Sequence, residues 1–131
     1  MKVVRVRTQA REELRDVTSL ISGCVEASGV AEGLCLVQSL HTTCGVTVNE
    51  NADPDVKTDL LLALGRAYPD DPRFRHAEGN SAAHAKTSAV GVSAALCVSG
   101  GALALGTWQG IYLCEFDGPR ERTLAVTVLP A

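Results

Sequence analysis

Three histidines, His41, His76 and His84, stand in polar stretches of an otherwise apolar-rich sequence. Imidazole changes charge near neutral pH and is the commonest side-chain ligand for transition metals. Three of them would complete an open metal centre with water in the last position. The spacing is far from HExxH, so the sequence does not by itself bring the three together. His41 ends an apolar run and so sits at the mouth of a buried strand, where a histidine serves a site or hydrogen-bonds to a turn backbone. His84 follows Asn80 and Ser81, which start an Ala-rich helix. The positive end of the helix dipole disfavours an imidazolium there and leaves an imidazole able to accept a proton or bind a metal. The free N–H groups after Asn80 form an anion or phosphate site. Lys86 lies two positions on and therefore faces away from His84.

Carboxylates supply the other half. In the run Ile111–Asp117, alternation puts Glu115 and Asp117 on the face of Ile111 and Leu113. A carboxylate on an apolar face is costly unless paired or bound to a cation. Arg120, just past the Gly118-Pro119 turn, is the candidate partner, and an exposed edge strand with an Asp–Arg clamp is the plainer alternative. Glu50, Asp53 and Asp55 offer a second acidic group, although a helix cap accounts for Asp53. Cys44 lies three residues after His41; on a strand the two face opposite sides, and nothing nearby activates a thiolate.

These residues need a scaffold. Val4 and Val6 alternate with Arg5 and Arg7, which predicts a half-exposed strand. Asp16 is placed to cap a helix whose stripe is Val17, Leu20, Ile21, Cys24 and Val25, closed by Gly29. Leu34–Val37 reads as a strand buried on both faces, paired with a second strand through Val46 and Val48. Asp53-Pro54 opens a helix bearing Val56, Leu60, Leu61 and Leu64, ending near Tyr68-Pro69. Asn80 or Ser81 starts a short helix to about Val90. Four β-like runs follow, Val92–Val98, Leu103–Leu105, Gly110–Phe116 and Thr123–Leu129, turned at Gly100-Gly101 and Asp117-Gly118-Pro119. The ordering predicts an α+β domain over residues 1–131 with a mainly antiparallel, β-sandwich-like core and two to three short helices.

Composition narrows the function. The 131 residues are 46% hydrophobic and 21% charged, as expected of one globular domain. Net charge is −3 and no basic run exists, which argues against a nucleic-acid partner. No apolar stretch is long enough for a bilayer or patterned as a signal peptide, so neither a membrane nor export is expected. Five cysteines without a CxxC pair read as reduced thiols in a cytoplasmic protein. Neither GxGxxG nor GxxxxGK[ST] is present, which disfavours the common nucleotide folds.

Three long motifs in order carry a family resemblance. The segment His41–Val56 (HTTCGVTVNENADPDV) resembles the first motif of the YjbQ family, His76–Lys86 (HAEGNSAAHAK) its second, and Gly106–Arg120 (GTWQGIYLCEFDGPR) its third. Cys44 stands where the resemblance leads one to expect Ala or Ser, which argues further against a thiol mechanism. The resemblance implies a YjbQ-like homotrimer and a secondary thiamine-phosphate synthase activity. Such an enzyme condenses a hydroxymethylpyrimidine diphosphate with a thiazole phosphate and releases pyrophosphate. On that basis His41, His84, Glu115 and Arg120 are expected to be catalytic. Thr42, Asn49, Gly79, Asn80, Ser81, Trp108 and Gln109 are expected to bind the phosphorylated substrates, with Trp108 stacked on a heteroaromatic ring. His41, His76 and His84 are expected to hold a divalent metal; imidazoles suit zinc, whereas diphosphate chemistry usually uses magnesium. Two other functions fit the same residues: a metal-dependent hydrolase of a small phosphorylated metabolite, and a non-catalytic trimeric module that binds a small anion or metabolite.

Overall fold

The Val/Arg alternation at the N-terminus forms strand β1 (Lys2–Arg7), with Val4 and Val6 buried and the arginines outside, in a computed structural model that describes residues 1–131. Beyond it come β2 (Glu13–Asp16), α1 (Thr18–Ser28), β3 (Gly33–Ser39), β4 (Cys44–Glu50), α2 (Pro54–Ala67) and α3 (Ser81–Val90). The chain ends with β5 (Ser93–Ser99), β6 (Ala102–Leu103), β7 (Gln109–Glu115) and β8 (Glu121–Pro130). A five-stranded sheet runs β1-β8-β3-β5-β6 and a three-stranded sheet runs β2-β7-β4. Every pairing is antiparallel. The expected α+β sandwich is what the chain forms, and none of its helices is long and apolar enough to cross a membrane.

The main core lies between the sheets. Cys35 and Val37 of β3, Val46 of β4, Ile111 and Leu113 of β7, and Leu124 and Val126 of β8 meet there, joined by Ile21, Cys24 and Val25 of α1. The other face of β7 is buried too: Tyr112, Cys114 and Phe116 pack with Leu14 and Ala83 under Leu60, Leu61 and Leu64 of α2. The small sheet is thus covered on both sides, whereas the large sheet is covered on one.

Several local expectations change for physical reasons. Leu34 and Leu36 are exposed on the outer face of β3, so that strand is buried on one side only. β4 pairs with β7, in register from Cys44↔Glu115 to Glu50↔Gln109, and not with β3. A short run cannot reveal which sheet it joins, because alternation fixes faces and not partners. β2 was not expected; four residues flanked by charge carry too little periodicity. Asp16 stands one residue outside the α1 cap position and accepts from the Thr18 N–H and hydroxyl, at 2.9 and 2.6 Å. Leu20 is exposed, which leaves Ile21, Cys24 and Val25 as the buried stripe. Asp53 caps α2 as expected, accepting from Asp55 N at 2.9 Å with Pro54 in the first turn.

The packing of α3 matters most for function. Two of its alanines, Ala82 and Ala83, are buried, and the backbone at its end touches β4, where Val46 N donates to Gly91 O at 3.0 Å. A side chain at Gly45 would sit 2.6 Å from that carbonyl. Small residues on both sides therefore hold the helix against the strand that follows His41.

Candidate functional site

His41, His76 and His84 line one open cavity of about 410 Å³, together with Leu40, Thr42, Thr43, Glu78, Asn80, Asp117, Arg120 and Arg122. Three separate elements build it: the β3–β4 connection, the start of α3 with the loop before it, and the turn from β7 into β8. A second open cavity, about 390 Å³, adjoins it and shares His41, Thr42 and His84, with Thr87, Ser88, Gly91 and Val92 completing the wall. The two lobes meet at the imidazoles.

Each imidazole is held differently. His41 Nε2 accepts from the Thr123 N–H at 2.8 Å, which places the proton of the neutral ring on Nδ1. Burial and the Arg122 charge lower the His41 pKa, with Glu115 opposing. His84 is half-buried in the first turns of α3, and its ring meets exposed His76 edge to face with centroids 5.4 Å apart.

At the cavity floor lies an ion pair not expected from the sequence. Glu115 is fully buried and accepts from Arg122 through both carboxylate oxygens, Oε2 from Nε at 2.7 Å and Oε1 from Nη2. Thr8 Oγ1 donates to Oε2 at 2.9 Å and Asp117 N to Oε1 at 3.0 Å. Burial alone raises the Glu115 pKa; the hydrogen bonds from Arg122, Asp117 N and Thr8 outweigh it and leave the carboxyl below its ordinary range. Fully buried, with its oxygens taken up by these neighbours and absent from the cavity wall, Glu115 is not placed to touch a substrate, which departs from the catalytic role expected of it. Its work is to position Arg122, whose Nη2 also donates to Thr43 Oγ1 at 2.9 Å. The signal for Arg122 was available: it is an inward-facing charge in an apolar strand, the pattern that singled out Glu115.

Asp117 forms a second buried anchor. Its Oδ2 accepts from Asn80 Nδ2 and from Arg120 Nη2, both at 2.8 Å. Asn80 sits at the cap position of α3, but its side chain is drawn to Asp117 and makes no capping bond. Its Oδ1 is buried without a partner. Arg120 finds its expected carboxylate in Asp117 rather than Glu115.

Other expected residues lie elsewhere. Trp108 is 64% exposed at the far end of β7, roughly 23 Å along the strand from Glu115. Gln109 folds onto its own turn, Oε1 accepting from Gly106 N at 2.8 Å, and Asn49 Oδ1 accepts from Glu50 N at 2.7 Å. Gly79, at φ 71°, turns the chain into α3, and Ser81 opens that helix, neither lining the cavity. Lys86 points away, as the helical spacing required, into an ion pair with Glu12 at 2.9 Å. The acidic group fares no better as a cation site, since Asp53 is a helix cap.

The three histidines share the cavity, yet they do not form a metal cage. No three His, Cys, Asp or Glu side chains converge closely enough to hold an ion. His41 has spent its Nε2 lone pair on the Thr123 N–H, and its Nδ1 carries a proton. The donor set of one chain therefore does not fit a three-histidine metal centre.

Burial also decides the thiols. Cys44 is fully buried, and burial with the Glu115 charge pushes its pKa up to about 12. Cys44 is expected to stay unlabelled by a thiol reagent in the folded protein, because the thiolate is the reactive form. Rapid labelling of Cys44, read by mass spectrometry of folded protein, would contradict this.

Residues 2–131 match the family described as UPF0047 protein YjbQ-like. The chain belongs to the YjbQ family. It is 46% identical over 130 residues to the UPF0047 protein YugU of Bacillus subtilis, covering 98% of both chains. It is 45% identical over 125 residues to a UPF0047 protein of Methanocaldococcus jannaschii, covering 95% and 91% of the two chains. A crystal structure of a YjbQ/UPF0047 family protein from Clostridium acetobutylicum superimposes with a TM-score of 0.95 at 43% identity, over 98% of this chain and 100% of that one. A YbjQ-like protein of unknown function from Sulfolobus solfataricus superimposes at 0.94 and 32% identity, over 99% and 96%. The descriptions of these YjbQ relatives name no substrate and no reaction.

Proposed function

We propose that the paired cavities form the active site of a small-molecule transferase of the thiamine-phosphate synthase type. In that reaction the thiazole ring nitrogen bonds to the methylene carbon of the pyrimidine. The carbon–oxygen bond to the diphosphate breaks, and its electron pair leaves with pyrophosphate. The observation that carries the reading is the two-lobed cavity joined at His41 and His84. Each lobe has the size of a metabolite site, and two substrates need two adjoining sites. The lobe with Asn80, Arg120 and Arg122 has the donors for a diphosphate; the lobe walled by Thr87, Ser88, Gly91 and Val92 suits a flatter heterocycle. His84, at the junction, stands past the unbonded N–H groups of the α3 start, its own N–H donating to Asn80 O at 3.3 Å, and is assigned as the acid that protonates the leaving oxygen. Thr42, also shared by both lobes, is assigned to substrate binding.

The test is incubation of purified protein with the two phosphorylated precursors and Mg²⁺, following coupled product and pyrophosphate. Product from both precursors together is the expected result. Pyrophosphate or phosphate release from one precursor alone would replace the transferase with a hydrolase, and tight binding without turnover would leave a metabolite-binding module. Because the chain's imidazoles do not form a cage, a divalent cation in this reading arrives on the diphosphate. Protein dialysed against a chelator is therefore expected to recover full activity with Mg²⁺ alone.

The reading includes a homotrimer and a cytoplasmic location. Val3, Leu34, Leu36 and Leu129 lie exposed on the outer face of the large sheet, an apolar surface that a second copy would cover. Light scattering is expected to give three chain masses, and a monomer at micromolar concentration would remove the trimer. All five cysteines are free, which suits a reducing compartment.

A further inference from the structure

We infer that Arg122 is the principal anchor for a phosphoryl group in the cavity, presenting Nη1 to it while Glu115 and Thr43 hold the rest of the guanidinium from behind. The inference rests on the proposed phosphorylated substrate and adds to it the residue that binds the phosphoryl oxygens.

The hydrogen bonds of this arginine are divided by edge. Nε and Nη2 are engaged by Glu115, and Nη2 additionally by Thr43. Nη1 makes no hydrogen bond within the chain, yet it is not among the buried polar atoms left without a partner. It therefore reaches solvent, and the solvent that Arg122 borders is the cavity. A guanidinium that is 3% exposed overall shows one edge outward. That edge carries two N–H donors, which a phosphoryl group can accept on its oxygens.

Rigidity sets Arg122 apart from its neighbour. Arg120 also faces the cavity, but its side chain is 52% exposed and its charge is drawn to Asp117 at 2.8 Å, so water competes for it. Arg122 is fixed before any ligand arrives, and little side-chain entropy is lost when an anion binds. Buried charge also acts in a lower dielectric, where attraction to an anion is stronger than at the surface. Glu115 offsets the cost of burying the cation, and Thr8 and Asp117 N in turn fix Glu115. A fully buried carboxylate at the end of β7 and Thr43 in the β3–β4 connection thus aim one arginine edge of β8.

Inorganic pyrophosphate is the probe, titrated by calorimetry into the full-length wild type and into Arg122→Lys and Arg120→Lys. Lysine keeps the charge but cannot satisfy Glu115 with two parallel bonds and still present a donor pair to the cavity. Arg122→Lys is expected to weaken pyrophosphate binding tenfold or more, and by more than Arg120→Lys does. A folded Arg122→Lys protein that binds like wild type would overturn the inference, as would a wild type that does not bind pyrophosphate at millimolar concentration. Should Arg122→Lys fail to fold, side-chain NMR of ¹⁵N-arginine-labelled wild type decides instead. The Arg122 resonances are expected to shift saturably with pyrophosphate; silence there while other arginines respond would overturn the inference. The two readings fail separately. Pyrophosphate held by Arg122 without product from the precursors sinks the transferase alone, and product formation with an unchanged KM for the diphosphate in Arg122→Lys sinks the anchor alone.

Discussion

A Glu115→Ala variant is expected to lose about 3–5 kcal/mol of stability, the usual cost of removing one partner from a buried ion pair. In a chain of this size that lowers Tm by on the order of 10 °C or more, read by calorimetry or circular dichroism. The loss arises less from the bonds broken than from what is stranded. Arg122, 3% exposed, would keep its charge with no counter-ion, and Asp117 N would lose its acceptor. The double variant Glu115→Met/Arg122→Met removes both charges and is expected to recover much of the loss, because neither remains unpaired. A double variant no more stable than the single one would show that the pair contributes by its shape and not by its charge balance.

The same pair sets a pH response. Glu115 titrates below its ordinary 4.5 in the folded state, so the unfolded chain takes up its proton first as pH falls. The stability it contributes is present above pH 4.5 and is lost as pH drops through the lower folded value. His41 behaves in the same sense at higher pH. Its folded pKa lies below 6.5, so its contribution is present above pH 6.5 and fades below it, as protonation of Nε2 ejects the Thr123 N–H. Acid unfolding is therefore expected in two windows, a shallow one opening below pH 6.5 and a steeper one below pH 4.5. In His41→Asn the first should disappear while the second stays.

The distribution of what the sequence disclosed follows from the reach of each signal. Helix starts and turns are local, so Asp53-Pro54, Asn80-Ser81 and the Gly100-Gly101 turn could be read directly. Strand faces are nearly local, so Glu115 was correctly placed beside Ile111 and Leu113. Strand partners are not local, which is why the sequence points β4 to β3 although it pairs with β7. The side-chain exchanges at the site are the least local feature. Asn80 carries both a cap geometry and an amide, and whether the amide turns inward depends on Asp117, which a distant loop delivers. Arg120 and Arg122 are two residues apart and chemically alike; Arg120 lies in the turn before β8 and bonds Asp117, whereas Arg122 lies in β8 and bonds Glu115. Trp108 shows the reverse error. It belongs to a motif whose other end reaches the cavity, but an extended strand separates the two ends.

His84→Asn is expected to lower kcat for the proposed transfer by about 10²–10⁴-fold, the range general acid catalysis supplies, while leaving Tm nearly unchanged. The stability half follows from packing. His84 is half-buried on the solvent side of α3, whereas Ala82, Ala83, Lys86 and Thr87 bury the inner side and hold the helix on β4. No hydrogen bond to another part of the chain is lost with its ring, and a substitution of that kind usually stays within about 0.5 kcal/mol. The activity half follows from position. His84 is one of three residues common to both lobes, and of the other two His41 has its Nε2 engaged by Thr123 N while Thr42 has no basic nitrogen. That leaves His84 as the imidazole at the junction with neither ring nitrogen committed to the chain, placed to give a proton to a leaving group in one lobe while a nucleophile occupies the other. His76, 5.4 Å away and exposed, lines only the first lobe and serves as the control. His76→Asn is expected to cost less in kcat than His84→Asn, because bulk water can replace an exposed proton partner more easily than a residue at the junction. Equal losses from the two, or an unchanged kcat in folded His84→Asn protein, would move the acid to another residue.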